Sequence, residues 1–136
     1  MAAEQTRYVL DSYALFAYFE GERGADVVAA LLRKTAEDTA LFLSLVNFGE
    51  VAYIAERERG IHQAVAMLED IRRLPITLSG VDEERVLAAA HIKARYPVSY
   101  ADAFAIALAD ELEATVVTGD PEFEKVESVV PVLWLR

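Results

Sequence analysis

The sequence predicts an α/β fold, a three-layer sandwich in which a parallel sheet of about five strands is flanked by helices. Three observations carry this. Short, largely apolar runs alternate with stretches whose apolar residues recur at helical spacing. Strands that are apolar along their length are buried on both faces, as in parallel sheets covered by helices on either side. The stretch Ser99 to Ala109 reads as a helix apolar all round, with Asp102 its only charge, and such a helix belongs inside a domain.

Taken in order, Tyr8-Val9-Leu10 is the first strand and ends at Asp11. Ser12 to Phe19 follows as a helix closed by the turn Glu20-Gly21-Glu22. Val27, Val28, Leu31 and Leu32 place a second helix over about Gly24 to Glu37. Ala40 to Leu43 is the second strand; a helix from about Ser44 to Arg59 comes next, with Gly60 placed to end it. Ile61, Val65, Leu68 and Ile71 mark another amphipathic helix, broken by Pro75, and Ile76-Thr77-Leu78 is the third strand. Asp82 caps a helix carrying Val86, Leu87, Ala90 and Ala94, which stops before Pro97. Beyond the apolar helix, Thr115 to Thr118 is the fourth strand, Gly119-Asp120-Pro121 a turn, and Val129 to Leu135 contains the last strand. No linker, repeat or low-complexity tract interrupts the series, so residues 1–136 are expected to form one domain.

Composition narrows the chemistry. The absence of cysteine excludes disulfides, thiolate nucleophiles and Cys-ligated zinc. A net charge of −10, from 23 acids against 13 bases, argues against non-specific affinity for nucleic acid. It leaves open a nucleic acid held through metal ions, and it suits a basic protein partner. No apolar run approaches the roughly 18–20 residues needed to span a bilayer. Met1 to Arg7 has no apolar leader core behind it, so a cytoplasmic protein with no membrane role is expected. Gly-x-Gly-x-x-Gly, Walker and Gly-x-Ser-x-Gly patterns are missing, which argues against nucleotide cofactors and serine hydrolysis. His62 and His91 read as structural or solvated, so a metal-free two-histidine ribonuclease is not indicated.

In open parallel sheets the ligand site lies beyond the carboxyl ends of the strands. Asp11 stands immediately after the first strand and Asp120 two residues after the fourth. Asp102, in the first turn of the helix leading into that fourth strand, falls near the same edge if the helix runs back antiparallel. Glu50 stacks between Val46 and Ile54 on what reads as an inward stripe. Each acid also has a plainer reading: Asp11 as a turn residue, Glu50 as a solvated helix charge, Asp102 as part of a Ser99-x-x-Asp102 capping box, Asp120 as an N-cap before Pro121. The set says more than its members. Carboxylates about 5 Å apart repel by roughly 3 kcal/mol per pair at an effective dielectric near 20. Four gathered at one edge must protonate or bind a cation, and hard oxygen ligands select Mg²⁺ or Mn²⁺ over zinc.

These residues resemble the PIN domain family, and within it the VapC-type toxins of toxin–antitoxin pairs. The likeness rests on Val9-Leu10-Asp11-Ser12, Asn47-Phe48-Gly49-Glu50, Ser99-Tyr100-Ala101-Asp102-Ala103 and Val117-Thr118-Gly119-Asp120-Pro121-Glu122-Phe123, whose order covers essentially the whole chain. The resemblance implies an endoribonuclease dependent on Mg²⁺ or Mn²⁺, with an acidic quartet at Asp11, Glu50, Asp102 and Asp120 and hydroxyls at Ser12 and Thr118 beside the metal. Asp11, Glu50 and Asp102 would hold the main ion and Asp120 would complete the site or hold a second, so that RNA is hydrolysed by metal-activated water. The resemblance also implies a homodimer and a VapB-like antitoxin whose basic tail enters the acidic groove. Arg, Lys and exposed Tyr or Phe near the cleft are expected to position RNA. The competing readings are a non-catalytic RNA- or protein-binding module, a housekeeping RNA-processing nuclease, a DNA-directed nuclease and a phospho-acceptor receiver domain. The last lacks an acid pair after its first strand, since Ser12 follows Asp11.

Overall fold

Among the described residues, five strands join in one sheet, all parallel, in the order β3-β2-β1-β4-β5. They are β1 (Thr6–Leu10), β2 (Thr39–Ser44), β3 (Ile76–Ser79), β4 (Thr115–Thr118) and β5 (Val132–Trp134). Pairs of α-helices link the first four: α1 (Ser12–Glu20) and α2 (Ala25–Lys34), α3 (Leu45–Arg59) and α4 (Ile61–Arg73), α5 (Glu83–Arg95) and α6 (Tyr100–Leu112). A short 3-10 helix (Pro121–Val126) lies in the last connection. The computed structural model describes residues 4–136. Met1, Ala2 and Ala3, the start of the stretch read for a leader and of the predicted domain, lie outside the described residues. Among the described residues no helix is long and apolar enough to cross a membrane.

Alternation along the central strands sorts the core into two layers. Val9 and Val116 face α5 and α6, whereas Leu10 and Val117 face α1 to α4. The three-layer sandwich follows from that alternation. Helix α6 is buried on every side, with Asp102 to Ala109 an unbroken run of eight buried residues. Small side chains let it lie close to β1 and β4 while α5 covers its outer flank.

The strands run longer than their apolar letters, because ladder pairing recruits polar neighbours: Thr6 pairs with Thr39 and Ser44 with Ser79. Helix α2 is shorter than predicted, starting after Gly24, which takes a left-handed φ of 95°, and giving way to a turn at Thr35. The turn at Gly119-Asp120-Pro121 continues as the 3-10 helix, with Asp120 as its N-cap.

Candidate metal centre

The strand order reverses direction at β1: the chain passes outward through β2 and β3, then returns to place β4 on the other side of β1. The carboxyl ends of β1 and β4 flank this switch point, where open α/β sheets form their binding crevice. Leu10 pairs with Val117, so Asp11 and Thr118 are the next residues on adjacent strands. The Thr118 hydroxyl accordingly donates to Asp11 Oδ2 at 2.5 Å, and the backbone N–H of Asp120 donates back to Thr118 Oγ1 at 3.0 Å. Asp11 Oδ1 accepts from the Ala14 N–H at 2.9 Å, so the residue is also the N-cap of α1. Its turn role and its place in the crevice are one geometry.

Helix α3 enters the crevice from β2. Ser12, the first residue of α1, donates its hydroxyl to Glu50 Oε1 at 2.5 Å. The expected stripe is corrected here. The buried line of α3 is Asn47, Val51 and Ala55, and Glu50 lies half-buried on its flank, where it and Ile54 line the crevice. Helix α3 packs against α4, α6 and α1, and Val51 and Ala55 join the core on the α1-to-α4 side of the sheet, which leaves Glu50 on the flank of that line. Helix α6 runs back toward the start of β4, so its first turn lies at the carboxyl edge, as the antiparallel reading requires. Ser99 Oγ accepts from the Asp102 N–H at 3.1 Å, the hydroxyl half of a capping box, while the carboxylate lines the crevice.

All four predicted acids therefore meet in one cavity of about 440 Å³, together with Glu22 and Glu122. Asp11 and Asp102 are buried, Glu50 and Asp120 half-buried, and Glu122 exposed. Carboxylate oxygens of Asp102, Asp120 and Glu122 lie within 4.8 Å of one another. Among the described residues no Lys, Arg or His lines this cavity. Burial pushes the Asp11 carboxyl up to about 7; its bonds from Thr118 and Ala14 pull the other way, and the charges of Asp102 and Asp120 raise it further. Asp102 is pushed up to about 6, again first by burial, with Ser99 lowering it and Asp120, Glu50 and Glu122 raising it. The donor set is all hard oxygen and carries uncompensated negative charge, which fits Mg²⁺ or Mn²⁺.

Glu122 and Asn47 stand in the sequence motifs but were given no role at the site from sequence. The 3-10 helix turns Glu122 toward Asp102; its signal was the Asp120-x-Glu122 spacing. Asn47 is fully buried, and its Nδ2 donates to the Ala101 carbonyl at 3.2 Å, joining α3 to the first turn of α6. A polar residue one turn from Glu50 on the buried stripe was the available sign. His62 and His91 are both exposed and away from the cavity.

A family model described as the PIN domain matches residues 8–129. The chain belongs to the PIN domain family. The fold of this PIN domain is similar to several solved structures. With a VapBC2 complex of Rickettsia felis bound to a DNA fragment from its promoter, it shares 12% identity at a TM-score of 0.75, covering 96% of this chain and 100% of that one. With a DNA-bound VapBC from Salmonella typhimurium the values are 19% and 0.74, over 97% and 100%. With VapC20 of Mycobacterium tuberculosis, a sarcin–ricin loop cleaving toxin, they are 17% and 0.68, over 88% and 93%. No curated protein matches the sequence.

Proposed function

We propose that this PIN domain is a divalent-metal-dependent endoribonuclease and the toxin half of a type II toxin–antitoxin pair. The observation that carries the reading is the cluster of converging carboxylates with no cationic side chain among its described walls. Such a cluster at the switch point lowers stability unless a ligand compensates it. Asp11, Glu50, Asp102 and Asp120 would hold Mg²⁺ or Mn²⁺, with Glu122 at the outer rim. A bound divalent ion supplies the charge that activates water and offsets the phosphoryl oxygens of a phosphodiester.

The chain's own groups prepare that site. Thr118 donates to Asp11 and so favours its ionised form, and Ser12 fixes the rotamer of Glu50. Because no 2′-hydroxyl attack is involved, the products carry 5′-phosphate and 3′-hydroxyl ends. The structural neighbours that are VapBC complexes support an antitoxin partner, and a basic tail suits the acidic groove. A homodimer and a cytoplasmic location complete the proposal.

The experiment is cleavage of labelled RNA by the purified chain in Mn²⁺, in Mg²⁺ and in chelator, with DNA oligonucleotides as competitors and end-mapping of products. Cutting that needs the metal and is inhibited poorly by DNA supports the reading. Cleavage in chelator, or none in either metal, overturns it.

A further inference from the structure

We propose that Tyr13 is a stacking platform for an unpaired nucleobase beside the acid cleft; this rests on the ribonuclease reading above and names the substrate feature it selects. Tyr13 lies two residues after Asp11 in the first turn of α1 and lines the cavity. The outer part of its ring is pressed against Gly119, the residue before Asp120. A Cβ at position 119 would stand 2.3 Å from Tyr13 Cε1 and 2.6 Å from Cζ, so only glycine leaves room for the ring there. Gly119 is not in a left-handed conformation, so it is the ring, together with the Leu135 carbonyl 2.8 Å from that same Cβ position, that excludes a side chain.

The ring thus packs against the residue before Asp120 on the wall of the acid cleft, yet 41% of the residue is exposed. The three other aromatics of α1, Phe16, Tyr18 and Phe19, are all half-buried. An exposed tyrosine alone is ordinary. An exposed tyrosine packed into the wall of a cleft that has no cation among its described residues is placed for a different kind of contact. Nucleic acid is usually gripped through phosphates by Lys and Arg with release of counterions. This cleft and a chain of net charge −10 offer no such grip. Base stacking on an aromatic is free of that constraint, because every base has a π-face, and it is worth about 1–3 kcal/mol per base. A base can reach the ring only when it is unpaired, so the substrate is RNA with an unstacked base next to the cut, in a loop or single strand.

The test uses the full chain and short single-stranded RNAs carrying 2-aminopurine at successive positions, bound in Ca²⁺ and cut in Mn²⁺. One position is expected to lose fluorescence on binding to the wild type and to Tyr13→Phe, and to keep it with Tyr13→Leu. In cleavage, Tyr13→Leu raises KM about tenfold with a smaller change in kcat, and Tyr13→Phe restores KM. If Tyr13→Leu fails to fold, an abasic-site series on the wild type replaces it, with one position expected to raise KM similarly. Equal KM for wild type and Tyr13→Leu, or a Tyr13→Phe variant as weak as Tyr13→Leu, overturns stacking. Wild-type protein that cuts no RNA in Mn²⁺ overturns instead the ribonuclease reading on which it rests.

Discussion

Two hollows of similar size open at opposite ends of the sheet. The one at the amino ends of β2 and β3, about 530 Å³, is lined by residues such as Gln5, Thr35, Thr39, Phe42 and Pro75, none of them ionisable. The one at the carboxyl ends, about 440 Å³, is lined by six acids and, among the described residues, no base. Volume does not separate them. What separates them is the free energy of their walls: the neutral hollow sits comfortably in water, whereas Asp11 and Asp102 are driven toward their protonated forms by burial and like charge. A fold free to choose its side chains would build both hollows as it builds the first. The tension in the second marks where a cation is expected.

The largest effect that tests this contrast is on cleavage. Asp102→Asn keeps the shape of the side chain and removes its charge, and we expect RNA cleavage in Mn²⁺ to fall by at least about a hundredfold. In chelator at pH 8 the same change raises the melting temperature, because a charge that burial disfavours is gone, a gain of ~1–3 kcal/mol. Thr77→Ala, in the neutral hollow, alters cleavage less than about twofold, as surface changes away from a site do. A lower melting temperature for metal-free Asp102→Asn would remove the tension from the account.

The second effect is on stability against pH. Asp11 and Asp102 have folded values raised to about 7 and about 6 from an ordinary 3.8. Between those limits the folded chain keeps protons that the unfolded chain has released. Their contribution is fully present below about pH 4 and is lost as pH climbs through 6 and 7. For Asp11 alone the most that can be withdrawn is ~4 kcal/mol. Thermal melts in chelator should therefore fall from pH 5 to pH 8, and millimolar Mn²⁺ should restore the high-pH value. A metal-free melting temperature that stays level over this range, or one that Mn²⁺ leaves unmoved at pH 8, breaks the comparison between the hollows.

Much of this was legible in the sequence, for a physical reason. Strands buried on both faces write themselves as apolar runs, so the alternation of Val9 and Leu10 between two cores was implicit in the letters. Asp11 and Asp120 were legible because strand ends fix their edge, and Asp102 because a lone charge in an apolar helix stands out. Glu50 was found for a partly wrong reason: its flank of α3 faces the cleft while Asn47, Val51 and Ala55 take the buried line. That line depends on which helices pack on α3 from α1, α4 and α6, which no local periodicity records. Glu122 needed the 3-10 geometry after Pro121, and Tyr13 needed the register that sets Gly119 beside α1. Arg and Lys were expected near the cleft, and its described walls hold none.

A third, smaller effect belongs to the hydroxyls that hold the acids. Thr118→Val keeps the buried volume but deprives Asp11 Oδ2 of its donor and the Asp120 N–H of its acceptor. We expect a loss of about 1–3 kcal/mol in stability and about tenfold in Mn²⁺ affinity, with Thr118→Ser recovering most of both. Calorimetric titration with Mn²⁺ and denaturant melts check this together. If Thr118→Val binds Mn²⁺ as the parent does, the strand-end hydroxyl is only a packing group.

The smallest effect separates holding the cleft open from holding the fold together. Asn47 Nδ2 ties α3 to the Ala101 carbonyl, and Asn47 Oδ1 is buried with no partner among the described residues. Asn47→Leu is close in volume and removes the tie and the orphan acceptor together. Ala101 is a helical residue whose carbonyl keeps its place in the α6 ladder, so no new buried group is stranded. Stability should therefore move little, since replacing an imperfectly satisfied polar group by an apolar one of similar shape is near neutral. The distance between Glu50 and Asp102 is another matter, because those acids ride on the two helices that the tie joins. We expect Mn²⁺ affinity to fall about threefold to tenfold at an unchanged melting temperature. If both stay level, packing alone sets the spacing of the acids; if both fall together, Asn47 serves the fold and the cleft inherits the damage.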